Sequence, residues 1–527
     1  MTVAVAAFLV LLAFCLRLPY RGIAIENNGG YFLLGCRDRA RGRKSRTHPW
    51  APLTMAVLYP LYRLLGSRWE YRWIRYVGTV ANVLTACALA AMGLPGDAPF
   101  LGATLAVLYL SVSSSPHLIP WFTCPEWYGI PFSVLGYVLL LSSGILGQEW
   151  VCMIAGLCLL VPGGFKWSGV LAWAGGLVAV WLVWPGGWRA AGWFSLSAAF
   201  VAPWVARWLA RGGLRDLKEM VRYKRGDAAY RGGDSVQGQF RLFLRGAREV
   251  MPGLAPLFPG LAAYAWTLPW QAGPFDAMVG LWWLSAFAEM VLQRVWYPGH
   301  WVPWVAPMSC LSALGVLRWV EEHDIASWGV VYVLVGAGIL ASLLLSRRHP
   351  WRPSASRATQ EVFARLAAQV RERTAPDEAV FVWGWHPQIL LLADRESVVP
   401  ELTFCDDAYL DRYTPDWRRR LFDAFARTPP RTIVVLSRGF PFRGLRAALG
   451  LAYEPLNDAL FTLASRFPPG LTEGLTLERA IGILRPTAEA ALAQGNREAA
   501  AGIAEGILEL DPADAPARRI FSACRLS

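Results

Sequence analysis

Charge is scarce in this chain. Asp, Glu, Lys and Arg make up 17% of its 527 residues, whereas soluble domains carry about a quarter. Acids are the scarcer sign, 38 against 51 basic residues. With 55% hydrophobic residues and 27 Trp, this excludes an ordinary soluble chain. The nine cysteines form no CxxC pair and no Cys/His metal spacing, which excludes zinc ribbons and thioredoxin-like redox centres. There is no Walker loop, GxSxG, HExxH or Rossmann fingerprint in a suitable context. A nucleotide-binding module is therefore absent, no nucleic-acid partner is expected, and any activated substrate must be made elsewhere. The first apolar segment has no basic residue ahead of it and no small-x-small site before Arg17-Leu18-Pro19, so it reads as an uncleaved helix rather than a signal peptide.

The apolar residues are clustered. A span needs about 20 of them, somewhat fewer where helices pack or the bilayer thins. Eleven segments qualify: 3–18, 77–93, 99–114, 127–147, 150–163, 168–184, 188–208, 253–269, 274–291, 300–317 and 326–345. The expected fold is an α-helical polytopic membrane domain over 1–348, with long polar loops at 19–76 and 209–250. Within the first loop, Leu53 to Leu65 is apolar but carries Tyr59, Tyr62 and Arg63, a composition for a helix lying in the interface. Residues 352–467 alternate strand-like runs (379–384, 432–436) with helix-like ones (354–373, 411–427), predicting a small α/β soluble domain. Residues 472–527 turn to Ala, Glu, Leu and Arg with helical period and a tetratricopeptide-like spacing of Gly495, Ala500, Leu508 and Pro512. One such unit cannot bury its apolar face alone, so this tail must dock on the α/β domain, a protein partner or another copy.

Both long loops are basic and, with eleven spans, lie on one side. The positive-inside rule would make that side cytoplasmic, although the rule is weak for long loops. Several residues facing that side carry chemistry. Glu26 follows the first segment, in Ile25-Glu26-Asn27-Asn28-Gly29-Gly30-Tyr31, and Glu126 opens a later one, in Cys124-Pro125-Glu126-Trp127. An ionised acid at a membrane mouth acts as a base toward a hydroxyl or holds a metal; singly, each is more often a solvated helix-end acid. Lys166, in Gly163-Gly164-Phe165-Lys166-Trp167, suits a lipid-linked phosphate or simply snorkels. The run Arg37–Arg46, including Arg43 and Arg46, cradles phosphates or rests on anionic headgroups. His48 and His300 are interfacial, and Arg294 is the better phosphate contact of the pair Arg294/His300. Cys36 and Cys124 each lie near one acid; they pair as a disulfide or, as favoured, stay as two free thiols.

These motifs, in this order, resemble the bacterial relatives of the protein O-mannosyltransferases and the aminoarabinose lipid A transferases, membrane glycosyltransferases of the GT-C fold. The resemblance covers about residues 1–467. It rests on Glu26-Asn27-Asn28-Gly29-Gly30-Tyr31, His48-Pro49-Trp50-Ala51-Pro52, Pro125-Glu126, Phe165-Lys166, Tyr297-Pro298-Gly299-His300-Trp301 and Val380-Phe381-Val382-Trp383-Gly384. Relatives usually carry an Asp beside the Gly-Tyr; here Asn27 and Asn28 stand there and Glu26 is the nearby acid.

The resemblance implies transfer of a sugar from a polyprenyl-phosphate carrier to a hydroxyl of a lipid, glycan or protein, with inversion, on the non-cytoplasmic face of a bacterial inner membrane. Glu26 and Glu126 would be the catalytic acids. Tyr31, Arg43, Arg46, His48, Lys166, Arg294 and His300 would hold substrate or phosphate. No metal is required, although a divalent ion is conceivable. The loops, and with them the C-terminal domain, would then be periplasmic, phosphate binding being the reason for their charge. The alternatives are a transporter or flippase of lipid-linked sugars and a catalytically inactive membrane scaffold.

Overall fold

The computed structural model describes residues 2–17, 27–42, 52–93, 99–115, 117–118, 124–184, 187–210, 212–214, 231–233, 235–271, 273–294, 296–323, 353–384, 386–399, 410–411, 416–464 and 475–525, with isolated positions between 217 and 228 and between 336 and 344. It divides into two compact units, the first reaching Thr359 and the second running from Gln360.

In the first unit the helices are α1 (Thr2–Arg17), α2 (Asn27–Ala40), α3 (Pro52–Leu65), α4 (Trp73–Ala91), α5 (Pro99–Ser113), α6 (Pro125–Leu146), α7 (Val151–Phe165), α8 (Val170–Val183), α9 (Gly187–Ala210), α10 (Val236–Leu254), α11 (Phe258–Gln271), α12 (Pro274–Gln293) and α13 (Val302–Glu322). Among the described residues, four stretches are long and apolar enough to cross a membrane: Trp73–Ala91, Pro125–Gly144, Pro274–Gln293 and Pro298–Glu322. Several other expected spans form shorter apolar helices. The 15 residues of α7 cover about 22 Å at 1.5 Å per residue, against a hydrocarbon thickness of about 30 Å. The segment expected at 326–345 lies almost wholly outside the described residues. The segment expected at 53–65 is helical, as α3.

α13 is the central helix, with 83% of its apolar window buried against 39% for α12. It packs on α5, α6, α11 and α12. α9 is peripheral, and Trp188, Phe200 and Trp204 stand 72%, 60% and 75% exposed, as side chains facing lipid do. Without a hydrophobic drive between helices in lipid, close packing needs small residues at the crossings. The α11–α13 crossing meets that need. A Cβ on Gly315 would lie 2.0 Å from the Gly260 carbonyl oxygen, and one on Gly260 would lie 2.3 Å from that of Ser312. Across the same pair, Ser312 Oγ donates to the Leu257 carbonyl at 3.0 Å.

The second unit holds a four-stranded sheet in the order β1 (Val380–Trp383), β2 (Thr432–Val435), β4 (Leu460–Leu463), β3 (Tyr453–Pro455). β1 and β2 are parallel, in register Val380↔Thr432 to Trp383↔Val435. The β3–β4 hairpin, which hydropathy did not single out, continues the sheet antiparallel. Helices α14 (Pro353–Arg373, beginning in the first unit), α15 (Gln388–Ala393), α16 (Trp417–Arg427) and α17 (Phe442–Leu449) accompany it.

The tail is three helices, α18 (Leu477–Ala493), α19 (Arg497–Leu510) and α20 (Ala515–Arg525). Its apolar face is covered within the unit. α19 lies on α17 so closely that a Cβ on Gly444 would sit 2.5 Å from Leu510 Cγ and 2.7 Å from the Gly506 carbonyl. Glu509 accepts from the Gly444 amide at 2.9 Å, and Arg418 Nε donates to the Glu509 carbonyl at 2.9 Å.

Two outcomes are expected. Gly315→Ala should destabilise the detergent-solubilised protein by about 1–3 kcal/mol through overpacking, whereas Gly192→Ala, which meets nothing within 4 Å on α9, should be neutral; thermal melting of the two variants checks this. In the second unit His386, packed at a tilt on Phe363 with ring centroids 4.8 Å apart, has its pKa lowered by burial to about 4. The unfolded chain, titrating near 6.5, binds more protons between those values. Stability from this group is therefore complete above about pH 6.5 and is lost as pH falls toward 4. Hydrogen exchange of peptides from 380–435 should accelerate over that window, and His386→Gln should flatten the change.

Candidate active site

Four separate points of the chain meet at one end of the helix bundle: the start of α6, the turn after α7, the end of α12 and the turn before α13. Each is shaped by local rules. At α6, Pro125 occupies the first helical position, where the missing N–H costs nothing, and Glu126 falls in the first turn, where the helix dipole favours a carboxylate. At the end of α7, Lys166 leaves the helix in an extended conformation (φ −151°, ψ 129°). Its amide still donates to the Pro162 carbonyl at 2.8 Å, and its own carbonyl starts the next turn by accepting from Gly169 at 2.8 Å. The glycines before it serve packing: a Cβ on Gly164 would lie 2.4 Å from Leu53 Cδ1 at the start of α3.

Lys166 is the hub. Its ammonium donates to Glu126 Oε1 and to Gln293 Oε1 at the end of α12. The side chains of Glu126 and Lys166 are 2% and 14% exposed. His300 Nε2 stands 3.9 Å from Glu126 Oε1, on the short 3-10 turn Pro298–Trp301. One turn back along α12, Glu289 is buried and accepts from Ser168 Oγ at 3.0 Å. A second buried cation approaches from α1. Arg17 lies 5.1 Å from the centre of the Trp127 ring and donates to the Ser113 and Gly78 carbonyls at 3.3 and 3.4 Å. At the same end, His117 contacts the Glu249 carbonyl; burial lowers its pKa, and that bond opposes the shift.

The connection from α12 to α13 is bent sharply. Arg294 and Trp296 have φ of 61° and 53°, left-handed values that are rare for bulky residues. The bend is held from α10. Gly246 approaches Trp296 so closely that a Cβ there would lie 2.5 Å from its carbonyl oxygen, and Phe243 packs on Trp296 and Trp301 at centroid distances of 4.9 and 5.7 Å.

The structure thus brings Glu126, Lys166 and His300 together. Arg294 is exposed on the bend. Its neighbour Tyr297 is covered by the Arg231 guanidinium at 4.1 Å. Tyr31 is half-buried in α2, edge-on to Phe32 at 5.9 Å. Glu26, Arg43, Arg46 and His48 lie outside the described residues; α2 begins one residue after Glu26. Cys36 and Cys124 are both free thiols, and burial pushes the Cys36 thiol up to about 12. Among the described residues no group of three or more His, Cys, Asp or Glu is placed to hold a metal. Three members of the cluster were not singled out as site residues from sequence: Ser168, Glu289 and Gln293. Their only signal was polarity at the ends of apolar segments.

Breaking one partner of a buried ion pair leaves the other charge uncompensated, at a cost of about 3–5 kcal/mol. Lys166→Met should therefore destabilise the protein by about that amount, and Glu126→Gln in the same chain should recover much of the loss. Thermal melting of the four members of this double-mutant cycle measures the coupling.

No protein-family model matches the sequence, and no curated protein does. Solved structures do match. ArnT from Cupriavidus metallidurans in the apo state superposes with a TM-score of 0.56 at 14% identity, covering 87% of this chain and 98% of that one. The same protein bound to undecaprenyl phosphate gives 0.52 at 13%, covering 89% and 99%. The chain therefore shares its fold with ArnT, the GT-C fold that the order of its sequence motifs implied.

Proposed function

We propose that this protein is a membrane glycosyltransferase that moves a sugar from a polyprenyl phosphate to a hydroxyl acceptor. The observation that carries this reading is the convergence of Glu126, Lys166, Gln293 and His300 at one mouth of a bundle with the fold of ArnT, a protein solved with undecaprenyl phosphate bound. A mouth at the membrane surface lets a lipid-borne donor meet its acceptor without leaving the bilayer.

In this mechanism Glu26 takes the proton of the acceptor hydroxyl as that oxygen attacks the anomeric carbon. The bond from the anomeric carbon to the phosphate oxygen breaks, its electron pair leaves with the polyprenyl phosphate, and the configuration inverts. Stabilising charge at the leaving group contributes most, because phosphate is already a fair leaving group. Arg43, Arg46 and His48 of the first loop, with Arg294 on the bend, meet that phosphate. Glu126, held in place by Lys166, assists Glu26, and Tyr31 lines the approach from α2. The reaction belongs on the non-cytoplasmic face of a bacterial inner membrane, with the loops and the second unit on that side. The tetratricopeptide-like tail offers a surface to a protein partner.

Glu26→Gln keeps the size of the side chain and removes its basicity. Membranes containing that variant at wild-type abundance should release no polyprenyl phosphate from a glycosylated carrier when the acceptor is supplied. Full turnover in the variant would sink the assignment of Glu26. Transbilayer movement of the intact carrier, without release of polyprenyl phosphate by the wild type, would favour a flippase.

A further inference from the structure

Gln293 is fully buried. A side-chain amide carries one acceptor and two donors. Here the acceptor, Oε1, is taken by the Lys166 ammonium. This fixes the amide, because the flipped form would set N–H against an ammonium. What remains is Nε2, and it finds no acceptor among the described residues. Three indole N–H groups of residues adjacent in sequence to members of the cluster, those of Trp127, Trp167 and Trp301, also find no acceptor among the described residues. Buried polar groups are almost always satisfied, so the unfilled Nε2 of a fully buried amide calls for an explanation.

The charges narrow what fills them. The Lys166 ammonium is already shared between Glu126 and Gln293, and Glu289 adds a second buried acid held by Ser168. A phosphate entering this cluster would meet two carboxylates and an ammonium already in use. A neutral polyol fits better. Each hydroxyl oxygen accepts from an N–H while its proton goes to a carboxylate, and the C–H faces of the ring suit indoles. An ammonium group has donors only; it would satisfy the acids and leave Nε2 and the indoles unfilled.

We infer that this cluster is the subsite for the sugar of the donor, that Gln293 Nε2 donates to one of its hydroxyl oxygens, and that the site selects a neutral sugar over one bearing an amine at that position. This rests on the glycosyltransferase reading above and adds the substrate class and a specificity-determining residue.

The test uses the full chain in lipid nanodiscs and equilibrium binding of four groups of probes: undecaprenyl phosphate; undecaprenyl phosphate carrying glucose, mannose or galactose; the same lipid carrying a 4-amino pentose; and dodecyl phosphate as a control with a short alkyl chain in place of the polyprenyl chain. For the wild type, at least one neutral hexosyl lipid should bind more tightly than both the bare and the aminated carrier. Gln293→Met removes the donor without adding charge, and Gln293→Glu keeps the acceptor for Lys166 while replacing the donor. Each should reduce the hexosyl-to-bare affinity ratio on the order of tenfold, as loss of a buried hydrogen bond does. Because the readout is a ratio within one variant, a general loss of folded protein does not imitate it. An unchanged ratio in both variants, or tightest wild-type binding of the aminated carrier, overturns this inference alone. Failure of the wild type to bind any undecaprenyl lipid more tightly than dodecyl phosphate overturns the glycosyltransferase reading as well.

Discussion

One ammonium ties the membrane unit together at the end where Glu126, Gln293 and His300 meet. Lys166 donates at once to the first turn of α6 and the last residue of α12, and its backbone links α7 to the turn that begins α8. Four helices are thus joined through a single residue. The arrangement is costly in isolation, since a buried ion pair seldom repays the desolvation of both partners. Helix geometry lowers that cost. Glu126 sits where the α6 dipole is positive, Lys166 keeps a minor exposure of 14%, and Gln293 completes the coordination with a neutral oxygen. Such a pair specifies which helix ends meet more than it adds stability.

The opposite end of α12 uses the same logic. Asp276 in its first turn accepts from the Gly273 amide at 2.8 Å and from Arg318 of α13 at 2.7 Å. α12 therefore has an ion pair at one end and the hydrogen-bonded cluster around Lys166 at the other. Its middle is apolar, with Trp282 stacked on Tyr137 at 4.6 Å. A charged group within a span is expensive, and here each one lies within a turn or so of a helix end. This spacing is what lets one helix join two differently charged surfaces.

Much of this was legible in the sequence, and what was not has physical causes. Glu126, Lys166 and His300 stood out because a charge or imidazole beside an apolar run needs explaining, and the structure brings the three together. Gln293 gave no such signal, because a neutral amide at a helix end is unremarkable until its partner is known. Glu289 and Ser168 were hidden in the same way: their pairing joins residues 121 positions apart, and local pattern carries no information at that range. Hydropathy located the apolar segments but overstated their uniformity. α7 and α11 contain Pro162 and Pro269 and form 15- and 14-residue helices. The β3–β4 hairpin escaped because three- and four-residue strands leave too little alternation to read. The docking of the tail was legible only as a requirement; the glycine at position 444 that allows it appears only once α17 and α19 are seen together.

The bend from Gln293 to His300 shows how the long loop before α11 takes part in the site. Two bulky residues held at left-handed φ, Arg294 and Trp296, cost about 1–3 kcal/mol each and persist only where surrounding contacts over-determine them. Those contacts come largely from α10: Gly246 against the Trp296 backbone, Phe243 between Trp296 and Trp301, and Gln239 accepting from Trp296 Nε1 at 3.3 Å. The bend in turn fixes the angle between the last residue of α12 and the turn that carries His300. Any displacement of α10 is therefore felt at Gln293 and His300, through aromatic packing rather than through charge. The basic character of α10 and its structural task are separable: Arg241, Arg245 and Arg248 are exposed, while the helix's aromatic and glycine positions hold the bend on which the cluster depends.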